Sequence, residues 1–203
     1  MPGVGQSYHG GGDRISAPTA TFLPMADEIS KNALEARLRL VDEHVQAEVE
    51  RDLDKIMRTW GESPDFDDVP WDERFSGRDG IREHYDELLT AFPDLDIEVH
   101  DRHVTDRFVI LEVTVSGTHL GDWRALPAMG RRMESRVCAL YSFDDQGMLA
   151  LERTYYDKAK ILEQLGIFQD PRTTTGKVMA AITPPFAIVR TLAHRLLRRG
   201  KPS

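Results

Sequence analysis

Residues 75–99, FSGRDGIREHYDELLTAFPDLDIEV, contain the change of period that decides the fold. In the first part of this stretch, apolar residues recur at the three- and four-residue steps of a helix: Ile81, Tyr85, Leu88, Leu89 and Phe92. Pro93 then predicts the end of the helix, because proline cannot continue its hydrogen-bond ladder. From Leu95 onward apolar and polar residues alternate, which is the period of a half-buried strand. The stretch therefore predicts a helix followed directly by a strand.

Three more strands are predicted downstream of this one. Residues 109–115 alternate in the same way, and residues 133–143 and 149–156 form a hairpin around the DDQG turn at 144–147. A short helix over 158–166 ends at Gly166, a residue suited to a left-handed C-cap. Since the helices come first and the strands follow with short connections, the order predicts an α+β fold with an antiparallel sheet.

Upstream, residues 27–60 have helical apolar spacing and predict a long amphipathic helix with a break near Asp52. Residues 61–80 mix turn residues with scattered aromatic ones. The acidic run at 65–68 lacks the glycine spacing and closing glutamate of a calcium loop, so we interpret it as a solvated loop.

The two ends of the chain differ from the middle. Residues 1–26 are rich in Gly, Ser and Pro and predict a disordered tail, which leaves 27–168 as the folded domain. Residues 169–203 form a C-terminal extension with a basic amphipathic helix. That helix is predicted either to dock on the domain or a second subunit, or to bind a partner or an anionic membrane surface peripherally.

Composition narrows the class of protein. The formal net charge of −8 lacks the positive surface that binds phosphate backbones, so nucleic acid is not an expected partner. The sequence contains no run of about 18 apolar residues, so no membrane-spanning helix is predicted. A single cysteine, Cys138, suits a reducing compartment, and we expect a cytoplasmic protein.

Four stretches resemble the SnoaL-like polyketide (ester) cyclase family of the nuclear transport factor 2-like superfamily. They are RDLDKIM at 51–57, the stretch at 75–99, VTVSGTHLGDWRALPAMGRRME at 113–134 and YYDKAKILEQLG at 155–166. The resemblance implies a cone-shaped, strongly curved antiparallel sheet wrapped around N-terminal helices, of the cystatin-like kind. It also implies an apolar pocket for a small molecule, a homodimer, no cofactor and no metal ion.

The chemistry that the resemblance implies is proton transfer. A carboxylate in the pocket removes a carbon-bound proton, and the resulting enolate attacks a carbonyl. Relatives with this fold isomerise steroids, hydrolyse epoxides or simply bind a ligand. The family's His-Trp-Asp triplet in the last strand is matched here by Glu152, Arg153 and Thr154, whereas its second carboxylate is present as Asp157.

Two residues are the catalytic candidates. Asp157 follows the last strand and is a candidate base, since burial beside aromatic residues would raise its pKa. The alternative is that it caps the helix beginning near Lys158. His119 is a candidate for orienting a substrate carbonyl or carrying a proton, with a core or turn residue as the alternative.

Pocket residues are predicted less specifically. The resemblance implies that Asp122 and Trp123 lie on a loop over the cavity, with a plain packing role as the alternative for Trp123. It also implies that His44, on the first helix, lies near the pocket, with a solvated helical histidine as the alternative. Aromatic residues are assigned to the core or the pocket wall, and three tyrosines among them are candidate hydrogen-bond donors to an enolate: Trp60, Trp71, Tyr85, Phe92, Tyr141 and Tyr155.

Two classes of function fit these observations. One is cofactor-independent acid/base catalysis, of cyclase or isomerase type, on a small apolar carbonyl compound. The other is a non-catalytic ligand-binding or dimeric interaction module with the same fold. The sequence does not choose between them.

Overall fold

The computed structural model describes residues 30–169, together with 172, 174 and 177. Four helices and six strands follow one another in this range, and their bounds are α1 Lys31–Glu50, α2 Leu53–Thr59, β1 Trp60–Asp68, β2 Glu73–Ser76, α3 Gly77–Ala91, β3 Asp96–Val104, β4 Phe108–Thr118, β5 Arg132–Phe143, β6 Leu149–Tyr156 and α4 Lys158–Gln164. A 3₁₀ turn, Val69–Trp71, joins β1 to β2. The predicted N-terminal tail and most of the C-terminal extension lie outside the described residues.

The strands form one curved, open sheet in the order β2-β1-β6-β5-β4-β3. Neighbouring strands are antiparallel except β1 and β6, which run parallel. The α+β class and the curved sheet over N-terminal helices are therefore confirmed.

The break predicted near Asp52 separates α1 from α2. Arg51 has the left-handed conformation, with φ 58°, and its N–H donates to the carbonyls of Ala47 and Glu48 at the end of α1. Asp52 then caps α2 by accepting a hydrogen bond from the Lys55 N–H at 3.0 Å. The chain thus turns sharply, and the two helices converge.

The interpretation of residues 61–80 as turns was wrong. This segment contains β1 and β2, and the acidic run at 65–68 lies in β1, where Phe66 and Asp68 are buried. Gly61, Pro64 and three aspartates are poor strand formers. Here the pairing with β6 outweighs that local preference, and local periodicity does not reveal a parallel partner 85 or more residues away.

The helices pack against the sheet and form the core. Buried residues from α1, α3, β4 and β5 lie in one cluster that includes Val41, Ile81, Leu111 and Ala139. A second cluster around Phe92, Leu95, Met133 and Leu165 lies at the α3–β3 turn and beside α4. No helix among the described residues has the length and apolar character needed to cross a bilayer.

Candidate active site

A cavity of about 110 Å³ lies between the helices and the sheet. Apolar side chains make up most of its wall, among them Val45, Leu88, Val113, Met133 and Ile161. Buried polar side chains face it from two clusters, one centred on His44 and the other on Arg124. The first, which we call the His44 cluster, consists of His44, Glu48, Thr59, Tyr85, Tyr141 and Glu152.

Helix periodicity brings His44 and Glu48 together. They lie four residues apart on the buried face of α1, which also carries Val41 and Val45. The distance from His44 Nε2 to Glu48 Oε1 is 3.1 Å. This one helix therefore supplies both members of a buried histidine–carboxylate pair.

The convergence of α1 and α2 determines which nitrogen of His44 carries a proton. His44 Nδ1 lies 2.7 Å from Thr59 Oγ1, and the Thr59 hydroxyl donates its only proton to the Ile56 carbonyl at 2.6 Å. Thr59 can therefore only accept from the imidazole, so Nδ1 carries a proton in both the neutral and the charged histidine. Nε2 is left to face the carboxylates.

Tyr85 and Glu152 complete the buried network. The Tyr85 hydroxyl lies 2.6 Å from Glu48 Oε1 and 2.9 Å from Glu152 Oε2. His44 Nε2 is 3.3 Å from the same Glu152 oxygen, and the Tyr141 hydroxyl donates to Glu152 Oε1 at 3.1 Å. Both oxygens of Glu152 therefore accept hydrogen bonds, and this carboxylate lines the cavity.

The electrostatics of the cluster favour a charged histidine. Burial by itself would lower the pKa of His44, but the Coulomb attraction of Glu48 and the hydrogen bonds to Glu152 and Glu48 raise it to about 9. At neutral pH the imidazolium is therefore the stable form.

Glu152 and the tyrosines have raised pKa values. Burial raises the pKa of Glu152, and the charge of Glu48 adds to this, while the hydrogen bond from His44 opposes it. Burial and the neighbouring carboxylates also raise the pKa values of Tyr85 and Tyr141 well above the usual range, so both hydroxyls keep their protons. The cavity thus contains one carboxylate with an increased proton affinity and two permanent donors.

One atom each of His44, Glu48 and Glu152 could ligate a metal ion, since these atoms all lie within 4.8 Å of one another. The Tyr85 oxygen, however, is 2.6 Å, 2.9 Å and 2.9 Å from the Glu48, Glu152 and His44 atoms. The hydroxyl lies where an ion shared by the three would sit. In this conformation the cluster fits a proton-sharing network better than a metal centre.

The second cluster, which we call the Arg124 cluster, lies on another part of the cavity wall. Arg124 Nη2 is 2.8 Å from Asp68 Oδ2, and its Nη1 lies 2.5 Å from Glu73 and 3.3 Å from Glu87. The Tyr156 hydroxyl donates to Asp68 at 2.8 Å. Burial raises the pKa of Asp68, against the opposing effects of Tyr156 and Arg124.

The loop after β4 directs Arg124 inward at a conformational cost. Arg124 and Ala125 both have positive φ, 51° and 60°, in a turn closed by reciprocal Trp123–Leu126 backbone hydrogen bonds. Glu87 accepts from the Arg124 N–H at 2.7 Å and stabilises the turn. The Arg124 side chain is only 3% exposed, so its charge lies in the protein interior.

Neither predicted catalytic residue lines the cavity. Asp157 is exposed and caps α4, with its carboxylate accepting from the Lys160 N–H at 3.0 Å, which is the alternative role considered above. His119 is fully buried, but it stacks on Phe92 at 5.3 Å, packs edge-on against Trp123 and does not line the cavity. Burial lowers its pKa. The structure does not bring these two residues together in the cavity.

The predicted pocket residues divide into two groups. Tyr85, Trp123 and Tyr141 line the cavity, and His44 bonds directly to two residues that do. The others do not line the cavity. Asp122 is exposed and accepts from the Ala128 N–H, and Tyr155 is 45% exposed. Trp60 packs edge-on against His44, Trp71 packs edge-on against Trp123, and Phe92 is a core residue.

An irregularity in β6 explains the error at Tyr155. Simple alternation from Leu149 and Leu151 places Tyr155 on the inner face. The pairing of β5 with β6 shifts register between Ser142 and Phe143, which leaves one extra residue in β6 between Leu149 and Leu151. Beyond this bulge the inner face carries Glu152, Thr154 and Tyr156 instead.

Several cavity residues were missed at the sequence level: Glu48, Asp68, His84, Arg124, Glu152, Thr154 and Tyr156. A signal existed for Glu48, because it lies four residues after His44 on an otherwise apolar helix face. Glu152 was noticed only as a departure from the family triplet. Nothing local distinguishes Arg124 from other loop arginines.

Known proteins provide three kinds of comparison. The family model described as SnoaL-like polyketide cyclase matches residues 38–165. A comparison with curated proteins finds no match.

Solved structures match along most of their length. AclR from Streptomyces galilaeus has a TM-score of 0.61 and 23% identity, over 73% of this chain and 97% of its own. A SnoaL-like protein from Jannaschia sp. CCS1 has a TM-score of 0.61 and 15% identity, over 69% and 97%. An LEH-like epoxide hydrolase of M. tuberculosis has a TM-score of 0.54 and 17% identity, over 73% and 97%. These likenesses concern the fold.

The family match extends from α1 to the end of α4 and therefore includes every element that lines the cavity. It is consistent with the curved sheet and with the helices packed against it. This chain belongs to the SnoaL-like polyketide cyclase family.

Proposed function

We propose that this protein is an acid/base catalyst for small apolar carbonyl compounds and that Glu152 is the group that transfers the proton. Membership of the family supports a cyclase or isomerase type of function in general. The observation that carries the proposal is a carboxylate that is 4% exposed and lies in the wall of an apolar cavity. Such a group has the increased basicity that proton abstraction from carbon requires.

In the proposed reaction, ionised Glu152 accepts a proton from the carbon next to a carbonyl. The C–H electron pair moves into the carbonyl, which becomes an enolate. In a cyclisation the enolate carbon then attacks a second carbonyl of the same molecule, and Glu152 returns the proton to the new alkoxide. In an isomerisation the proton returns to a different carbon. Neither sequence consumes an oxidant or a reductant.

The surrounding groups have separate roles in this proposal. The His44 imidazolium, 3.3 Å from Glu152, stabilises the ionised carboxylate that begins the cycle. Tyr141 donates to Glu152 at 3.1 Å and becomes free to donate to the enolate once Glu152 has taken the proton. Glu48 holds the imidazolium and the Tyr85 hydroxyl in place.

Deuterium uptake tests the proposal without knowledge of the natural substrate. In D₂O, the wild-type protein should accelerate exchange at the carbon next to the carbonyl in a panel of ketones, from cyclohexanone to steroids and linear polyketides, followed by proton NMR. Glu152→Gln should lower this rate by about 10²- to 10⁴-fold, the usual contribution of a positioned general base.

Asp157→Asn is the matched control. It makes the same carboxylate-to-amide change at an exposed cap, and asparagine caps helices as well as aspartate does. Its exchange rate should equal that of the wild type. Equal rates in Glu152→Gln and the wild type would refute the assignment, and loss of exchange in Asp157→Asn would return the catalytic role to Asp157.

A non-catalytic binding function is the second candidate. It is favoured by polar atoms in the cavity wall that have no partner within the described protein. Binding of ketones without any wild-type exchange would support it. The homodimer and the partner or membrane contact of the C-terminal helix stay predictions, and that helix lies outside the described residues.

A further inference from the structure

Three residues in the cavity wall have buried polar atoms without a hydrogen-bond partner among the described residues. They are His84, with both ring nitrogens, Arg124 with Nε and Thr154 with Oγ1. The other unpartnered buried atoms belong to Trp60, Trp71 and His119, which do not line the cavity. A buried polar group without a partner costs free energy, so their concentration around one cavity points to a ligand.

The three residues come from different elements and meet only in the folded protein. His84 lies on α3, Arg124 on the loop after β4 and Thr154 on β6. His84 stacks on Phe66 with ring centroids 3.8 Å apart, and Phe75 lies tilted against it at 4.9 Å. Phe66 thus covers a face of the imidazole, while both nitrogens at the ring edge have no partner among the described residues.

The charges around these atoms favour a neutral ligand group over an anion. The two Nη nitrogens of Arg124 already contact three carboxylates, those of Asp68, Glu73 and Glu87. Burial lowers the pKa of His84 well below the usual range, and the charge of Arg124 adds to this, so the imidazole is neutral. The residues offer N–H and O–H donors and one nitrogen acceptor without any unbalanced positive charge.

We propose that His84, Thr154 and the Nε–H of Arg124 form a subsite that binds a neutral hydroxyl or carbonyl oxygen of the substrate, at the end remote from the reacting carbon. This inference rests on the proposed function for its placement of the reacting carbon beside Glu152. The subsite itself depends only on the unpartnered atoms.

The strand geometry gives the distance between the two ends of the ligand. Glu152 and Thr154 are two residues apart on the inner face of β6, a separation of about 7 Å. On α3, His84 and Tyr85 are consecutive residues, and their ring centroids are 5.0 Å apart. This spacing corresponds to one six-membered ring with oxygen functions at opposite ends.

Three ring compounds test the subsite: cyclohexanone, 4-hydroxycyclohexanone and 4-oxocyclohexanecarboxylate. Their binding to the full chain is measured by titration calorimetry. The wild type should bind the hydroxyketone about tenfold more tightly than cyclohexanone, since one well-made hydrogen bond to a buried group has that effect. The carboxylate should bind more weakly than cyclohexanone.

His84→Phe and Thr154→Val keep the shape of each side chain and remove its polar atoms. Each should reduce the preference for the hydroxyketone to about threefold or less. His119→Phe is the matched control, because it changes a buried histidine that also stacks on a phenylalanine but does not line the cavity. It should keep the tenfold preference.

Stability gives a second measurement. His84→Phe should unfold at the same temperature as the wild type or higher, because it removes two unpartnered buried atoms. A clear fall in the melting temperature would mean that the imidazole is satisfied within the protein and would overturn the proposal. If that variant fails to fold, Thr154→Val decides by its binding preference.

Glu152→Gln separates this proposal from the proposed function. If the subsite is correct, this variant keeps the preference for the hydroxyketone even when it no longer exchanges deuterium. If deuterium exchange persists in Glu152→Gln while His84→Phe loses the preference for the hydroxyketone, the proposed function is refuted and the subsite is supported. An equal preference in all variants, or no binding of any of the three compounds, would overturn the subsite.

Discussion

The His44 cluster predicts that this protein becomes less stable as the pH rises from 7 to 10. The pKa of His44 is raised from 6.5 to about 9 in the folded state, mainly by Glu48 and Glu152 acting against burial. A group whose pKa is higher in the folded state stabilises that state fully below its unfolded pKa. It loses this contribution as the pH passes through the folded value.

The size of the effect follows from the shift. A rise of the pKa from 6.5 to about 9 corresponds to about 3 kcal/mol of unfolding free energy, and most of it is lost between pH 7 and pH 10. His44 is completely buried, so solvent does not screen this interaction. Burial lowers the pKa values of His84 and His119, so their titration makes the folded state more stable as the pH rises, which is the opposite sign.

Urea denaturation at half-unit pH intervals measures the unfolding free energy, and nitrogen NMR of the imidazole measures the pKa of His44 directly. The control is the double variant Glu48→Gln, Glu152→Gln. In it burial acts on His44 without opposition, so the pKa should fall below 6.5 and the loss between pH 7 and 10 should disappear.

Two results would refute this account. One is a wild-type protein that is equally stable at pH 7 and pH 10. The other is a double variant with the same pH dependence as the wild type, because the effect would then come from groups outside the His44 cluster.

Three further substitutions test other parts of the structure. Tyr141→Phe removes a hydrogen bond to Glu152 and should lower the ketone exchange rate by about tenfold, measured as for Glu152→Gln, with about 1 kcal/mol of stability lost. Arg124→Met leaves Asp68 buried without its cationic partner and should cost about 3–5 kcal/mol in urea denaturation at pH 7, so a change under 1 kcal/mol would contradict the buried ion pair. Asp157→Ala should cost about 1 kcal/mol by thermal unfolding, the value of a helix cap, with exchange unchanged.

Local patterns were sufficient for much of the fold. The helical spacing from Ile81 to Phe92, the stop at Pro93 and the alternation after Leu95 depend on neighbouring residues, and the structure has α3 and β3 where they predict. The break at Asp52 and the helix before Gly166 are of the same kind. Each of these features is determined by chain stereochemistry within one or two turns, so sequence alone suffices for it.

The candidate site was much less accessible from the sequence. Tyr85 and Tyr141 were predicted as core or pocket-wall residues and His44 as a residue near the pocket; the structure has the two tyrosines in the cavity wall and His44 bonded to Tyr85. Asp157 was given a catalytic role on the strength of the resemblance, whereas in the structure its carboxylate caps α4.

Glu152 shows why tertiary structure was needed. Its side chain faces the cavity only because a bulge shifts the phase of β6, and it meets His44 and Tyr85 across separations of 108 and 67 residues. The sequence by itself determined the helices, four of the six strands and the family resemblance. Only the packing of α1 and α3 against the sheet decided which carboxylate is buried, since burial depends on contacts between residues that are remote in the chain.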